Sequence, residues 1–177
     1  MDKKKNSIAP FIIGFICALI FGWYIFPYML YSKEKQPFNF SHKAHLKLLG
    51  SCEACHFFRE DGSFNGIPDL QSCKMCHYSI LRGTPDEKIF FNEYLKKNKE
   101  IPWKVYQKQP DNVYFSHIAH KNLPCTTCHP DVGHSDITPV FYRNKITGYS
   151  KYTMKMYKCE RCHAKNKVSN ACYVCHK

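Results

Sequence analysis

Cys-x-x-Cys-His occurs five times in this 177-residue chain, at Cys52/Cys55/His56, Cys73/Cys76/His77, Cys125/Cys128/His129, Cys159/Cys162/His163 and Cys172/Cys175/His176. A chain so punctuated must fold around whatever those motifs hold. The pattern is the attachment signature of c-type haem. Two thiols at this spacing add across the two vinyl groups of one porphyrin, and the histidine directly after the second thiol reaches the iron from one face. The motifs use ten of the eleven cysteines. Structural zinc also takes Cys-x2-Cys pairs, and even cysteine numbers in an exported chain often mean disulfides. Neither explains a histidine after every second cysteine. The expected cofactors are therefore five haem c, with His56, His77, His129, His163 and His176 as proximal iron ligands.

The remaining histidines speak for the other face of each iron. Ten histidines less the five in the motifs leave His42, His45, His117, His120 and His134, one for each haem. Four of them sit in a repeated phrase, Phe40-Ser41-His42-Lys43-Ala44-His45 and Phe115-Ser116-His117-Ile118-Ala119-His120, each followed within seven residues by a haem motif. The phrase marks an internal duplication, with two motifs after the first copy and three after the second. His-x-x-His at helical spacing puts both imidazoles on one side of a turn, where they serve two neighbouring haems. His134 lies outside the repeat, in a Gly/Asp/Ser-rich turn, and Met154 and Met156 compete with it; Met156 is the alternative fifth distal ligand. A methionine would raise that haem's potential, whereas the plain reading of both is packing against a porphyrin edge. With both axial positions filled by protein, electron transfer is favoured over substrate chemistry.

From Ile8 to Leu30 runs a stretch of 23 residues without a charge. At 1.5 Å per residue it can cross a hydrocarbon core of about 30 Å. Lys3-Lys4-Lys5 before it predicts, by the positive-inside rule, a cytoplasmic N-terminus over residues 1–7, an anchor over 8–30 in the inner membrane and a periplasmic haem domain over 31–177. Trp23, Tyr24, Tyr28 and Tyr31 suit an interfacial belt. A cleaved signal peptide would have a shorter apolar run and an Ala-x-Ala-like site. Cys17 reads as a small apolar residue within the anchor.

The exported part offers only about thirty residues per haem, and small domains bury proportionally little surface. The haem stack must then be the core. The expected fold is a multihaem cytochrome, mainly irregular, with short α-helices on the stack, one transmembrane helix and little β structure. Two repeat units, about 38–83 and 113–177, are expected to be joined by a helical spacer over Thr84–Asn98. There Thr84 and Glu87 form a capping box, Pro85 occupies the first turn and Lys96, Lys97 and Lys99 crowd the end. The formal charge of +12 does not read as nucleic-acid binding. Basic residues are scattered rather than clustered, and haem propionates and an acidic redox partner call for them. The 27 aromatic residues read as haem packing rather than redox relays.

The phrase Phe-Ser-His-x-Ala-His followed by Cys-x-x-Cys-His resembles the class III multihaem cytochromes, the cytochrome c3 type. The run Ile101-Pro102-Trp103-Lys104-Val105, then Pro110 to His117 and Cys125-Thr126-Thr127-Cys128-His129, is similar to the multihaem subunits of quinone-interacting membrane complexes, alternative complex III and menaquinone reductase. The resemblance covers most of the chain after Gln36. It implies a subunit that is not itself an enzyme, anchored in the lipid bilayer and docked on iron-sulfur/molybdopterin-like and polytopic quinone-binding membrane subunits. Such a subunit exchanges electrons between that complex and a soluble periplasmic cytochrome c. The alternatives are a free-standing tethered quinol-oxidising cytochrome and a small multihaem reductase with one open haem site.

Overall fold

The computed structural model describes residues 8–176; the Lys3-Lys4-Lys5 run falls outside them. Helix α1, Ala9–Leu30, is the one helix among the described residues long and apolar enough to cross a membrane. It is exposed all round and opens on Pro10 in its first turn, where the missing N–H has no intrahelical partner to lose. Its turns widen over Phe21–Ile25, and the Phe26 N–H donates to the Phe21 carbonyl five residues back. Pro27 supplies the reason: its ring would press on the carbonyl four residues earlier, and a wider turn relieves that clash.

The chain leaves α1 directly into strand β1, Tyr31–Glu34, which pairs antiparallel with β2, Phe141–Asn144, in the register Tyr31 to Asn144 and Glu34 to Phe141. These two four-residue strands are the whole sheet. The Ile101–Val105 run clamps the exit strand. Lys104 Nζ pairs with Glu34 at 2.6 Å, and the Gln36 amide makes two hydrogen bonds of 2.9 Å to the Lys104 backbone. The remaining elements are short: α2, His42–Leu49; α3, Leu70–Lys74; α4, Pro85–Ile89, continued by a wider turn over Phe90–Leu95; α5, Met156–Lys165; and α6, Cys172–Cys175. The expected architecture, mainly irregular with short helices and little β, is what the chain adopts.

The expected helix over Thr84–Asn98 forms, but its regular turns stop at Leu95 and the chain turns off at Asn98, which has φ 48°. Only half of the capping box closes. Thr84 Oγ1 accepts from the Glu87 N–H, while the Glu87 carboxylate reaches past the cap to accept from the amides of Leu81, Arg82 and Gly83 at 2.6–2.8 Å. Those bonds hold the Glu87 carboxyl below the usual range, with the Leu81 amide as the largest cause. The helix is also more than a spacer. Phe90 is buried with Leu70 and Ile101, and Phe38, Tyr94 and Trp103 pack around them. Phe90 also meets the His77 ring edge-on at 5.5 Å.

Protein side chains alone bury little: Leu70, Phe90, Ile101 and Phe141 are the buried hydrophobic residues among those described. Such a cluster leaves no surplus, so single contacts matter. Leu70 is 1% exposed and is fixed at the start of α3 by Asp69, which caps the Ser72 N–H at 2.8 Å, and by Glu100, which accepts from the Leu70 N–H at 3.0 Å. Leu70→Ala is expected to cost about 2–5 kcal/mol, read as a lower guanidinium midpoint for the haem-loaded protein followed at its Soret band.

The two copies of the repeat interlock. Residues 57–66, after the first haem motif, lay Phe64 on the His117 ring at 4.1 Å. Residues 131–138, after the third motif, lie on α2, where the Lys43 N–H donates to Ser135 O and Ser41 and Lys43 both bind Asp136. Asn39 and Thr138 bond to each other across the same seam.

Candidate haem sites

Each motif is one helical turn. The histidine N–H donates to the carbonyl of the first cysteine at 2.9–3.0 Å in the first, second, third and fifth motifs, and the fourth motif lies within α5. This i to i−4 closure brings two thiols and an imidazole together on one turn. No disulfide joins any of the eleven cysteines. Burial pushes the Cys73 thiol up to about 11, and burial likewise raises Cys52, Cys55, Cys128 and Cys159. Among the described residues no three or more of His, Cys, Asp and Glu converge to hold a metal ion, so the thiol pairs do not assemble into the closed four-ligand sets that structural zinc requires.

The two copies of the repeated phrase make the same local contacts. Ser41 Oγ accepts from the Ala44 N–H and Ser116 Oγ from the Ala119 N–H. His45 Nδ1–H donates to Ser41 O at 2.8 Å, and His120 Nδ1–H donates to Ser116 O at 2.8 Å. Phe40 stacks on His45 and meets His42 edge-on; Phe115 does the same with His120 and His117. The first copy continues as α2 to a left-handed Gly50 at φ 82°. The second stops after a single 3-10 turn, Ile118–His120, because Pro124 disfavours helical backbone at Leu123.

These local frames aim the phrase histidines at motif histidines. His45 faces His77 with ring centroids 6.1 Å apart, His117 faces His129 at 6.5 Å and His120 faces His163 at 6.1 Å. His56 is the largest charge neighbour of His42. A metal–imidazole bond is about 2 Å and the ligating nitrogen lies about 1.1 Å from its ring centroid, so two imidazoles across one metal have centroids about 6 Å apart. The observed separations fit one iron between each pair. On the motif side, Nδ1–H of His56, His163 and His176 donates to the carbonyls of Gly66, Ser169 and Asn112, the arrangement that makes Nε2 the nitrogen that could hold a metal. Nδ1 of His42 and of His77 is buried without a hydrogen-bond partner among the described residues. Burial lowers the pKa of His42, His77 and His117, keeping them neutral, the form that binds iron.

His134 and Met156 are placed differently. The His134 side chain is 83% exposed and pairs with Asp131 at 3.0 Å, on the segment that packs against α2. Met156, the first residue of α5, is also exposed. His176 is bridged to Val113. No hydrogen bond or ring contact joins His134 to His176 among the described residues.

Spacing reasoning did not find the surroundings of these histidines. A hollow of about 330 Å³ beside His77 is lined by Lys74, Lys96, Tyr78, Phe91 and Leu95. Another of about 420 Å³ beside Cys128 and His129 is rimmed by Lys151, Lys155 and Lys158. Cations over an aromatic floor suit a porphyrin with carboxylate arms. Scattered lysines give no periodic signal, so the sequence showed only their number.

Comparison with known proteins settles the class. Residues 27–104, which hold the first repeat copy and two motifs, match the model of the class III cytochrome c family. The chain is 50% identical over 191 aligned positions, covering 97% of its length and 91% of the relative, to the protein named menaquinone reductase, multihaem cytochrome c subunit, of Nitratidesulfovibrio vulgaris strain Hildenborough. The chain belongs to the class III cytochrome c family. In this cytochrome the family match ends at Lys104, and the second copy of the phrase brings its histidines to the third and fourth motifs in the same way.

Thiols of different motifs lie near one another. Cys55 neighbours Cys73 and Cys76, Cys52 neighbours Cys125, Cys128 neighbours Cys162 and Cys159, and Cys159 neighbours Cys175. Numbered along the chain, the second motif adjoins the first, the first adjoins the third, the third adjoins the fourth and the fourth adjoins the fifth.

Proposed function

We propose that this chain is the membrane-anchored pentahaem electron carrier of a menaquinone-reductase-type complex, passing electrons between quinone-binding membrane subunits and a soluble periplasmic cytochrome c. The observation that carries the reading is the serial arrangement of histidine pairs with a metal-sized gap between them. Haem supplies a one-electron iron couple at each site. The chain's own residues do the rest. The cysteines would fix the ring, and His56, His77, His129 and His163 would ligate the iron from the motif side. His42, His45, His117 and His120 would ligate it from the phrase side, with Ser41 and Ser116 carbonyls orienting His45 and His120. Two protein ligands per iron exclude substrate from those four sites and leave electron transfer as their chemistry. The name of the 50% identical relative supports the choice of complex. Helix α1 anchors the carrier with its N-terminus in the cytoplasm, and residues 31–177 form the haem domain outside.

The fifth site stands apart. His134 is the fifth distal ligand by count and Met156 the alternative; His134 pairs with Asp131 on the segment that packs against α2, and we propose that it stays off the iron. His134→Ala is expected to leave five haems and every low-spin signal unchanged in the oxidised protein; loss of one low-spin signal would return His134 to the ligand set. The complex itself is tested by purification from native membranes. Copurifying iron-sulfur and polytopic subunits, with menaquinol-dependent reduction of the haems, are expected. A chain that runs alone and oxidises quinol unaided would contradict the subunit role.

A further inference from the structure

We infer that the turn Lys145–Tyr149 is a second membrane contact, seated among the anionic headgroups beside the point where α1 leaves the bilayer. The inference rests on the reading of Ala9–Leu30 as a membrane anchor. Because β2 runs antiparallel to β1 and Asn144 pairs with Tyr31, β2 travels toward the anchor and its turn continues past the end of the exit strand. The Lys145 N–H donates to the carbonyl of Leu30, the last residue of α1, at 2.9 Å. At about 3.3 Å per extended residue, the two positions beyond Asn144 reach several ångströms along the anchor's flank, the depth at which interfacial side chains settle.

The turn is built rigidly for such a place. Asn144 Oδ1 accepts from the N–H groups of Ile146 and Thr147 at 2.9 Å each, the Gly148 N–H donates to Asn144 O, and Gly148 takes the positive φ of 75° that closes the loop. These bonds hold Ile146 at the tip, 74% exposed, an apolar side chain with no protein core to enter. Around it the charge is basic. Lys145 is exposed, Lys151 lies over the rings of Tyr31 and Tyr142, and Arg143 faces Glu34 at 3.9 Å, a carboxylate already paired with Lys104. Lys33 on β1 adds to the same edge. An exposed apolar tip on a basic edge matches an anionic lipid surface. Two attachments, helix and turn, would fix the orientation of the haem row over the membrane where a single helix leaves it free to swing.

The test is photolabelling of the full-length, haem-loaded protein in nanodiscs of phosphatidylcholine and phosphatidylglycerol carrying a diazirine at headgroup depth, with labelled peptides mapped by mass spectrometry. Labels are expected in residues 145–149 and in the outer end of α1. The double substitution Lys145→Glu with Ile146→Asp is expected to cut labelling of the turn about fivefold or more, with the haem spectrum and the α1 labelling unchanged. Labelled α1 with an unlabelled turn would overturn the inference and leave the anchor standing. No label in either would overturn the anchor reading itself. Labelling of the same lipid in native membranes gives the last arm: a turn that crosslinks to another polypeptide and takes no lipid overturns the inference in favour of a partner subunit.

Discussion

Methionine in place of His117 is expected to slow electron flow through the chain about fifty-fold while all five haems stay attached. His117 faces His129 at the third site, and the thiol neighbours put that site in the middle of the row. Methionine keeps the iron six-coordinate but raises its potential, here by on the order of 0.1 V within the roughly 0.8 V that axial ligands can span. For a one-electron step, about 59 mV is a factor of ten, so an electron settling on the third site leaves it about fifty times more slowly. The check is menaquinol-dependent reduction of a soluble cytochrome by the native complex, with a redox titration to confirm that one haem has moved upward. The same substitution at His45, which serves the second site at one end of the row, is expected to shift one potential as much but leave the path from third to fifth site intact. Equal slowing by both would contradict the serial order.

Removing a ligand outright gives the second large effect. His120→Ala is expected to convert one haem from low to high spin, because His120 faces His163 at 6.1 Å and no other histidine is in ring contact with His163 among the described residues. The opened iron then binds carbon monoxide or cyanide, one equivalent per protein, as the parent's four paired sites do not. Added imidazole should restore the low-spin spectrum by filling the space the side chain left. Low-spin spectra retained in the alanine variant without imidazole would show that another residue ligates the fourth site.

The chemistry of this chain was legible because it is local. Each Cys-x-x-Cys-His motif is a single turn, and the paired histidines sit three residues apart in a phrase that appears twice, so spacing alone marked out the side chains that the fold brings face to face. The helix after Thr84 was legible for the same reason, through its cap and Pro85. Its end was not: Phe90 and Tyr94 pack on Phe38, and that contact spans some fifty residues of sequence. Long separations hide the rest. Asn39 meets Thr138 across 99 residues, and the charged tetrapeptide Tyr31-Ser32-Lys33-Glu34 has no strand pattern of its own until β2 arrives. The order of sites in space depends on the same interlocking, with residues 57–66 reaching one copy of the phrase and 131–138 reaching the other. Counting alone could not show what surrounds His134. Five spare histidines for five motifs is sound arithmetic, while the seating of its turn on α2 through Ser135 and Asp136 depends on contacts some ninety residues apart in the chain.

Four haems in a five-haem chain are proposed to take His42 with His56, His45 with His77, His117 with His129, and His120 with His163 as their axial pairs. Low-temperature electron paramagnetic resonance of the fully oxidised protein, taken on a sample whose haem content is counted by pyridine haemochrome, is the direct test. Five c-type haems per chain are expected, four of them with low-spin bis-histidine signals and the fifth distinct from those four. A count other than five, or fewer than four bis-histidine signals, would contradict it.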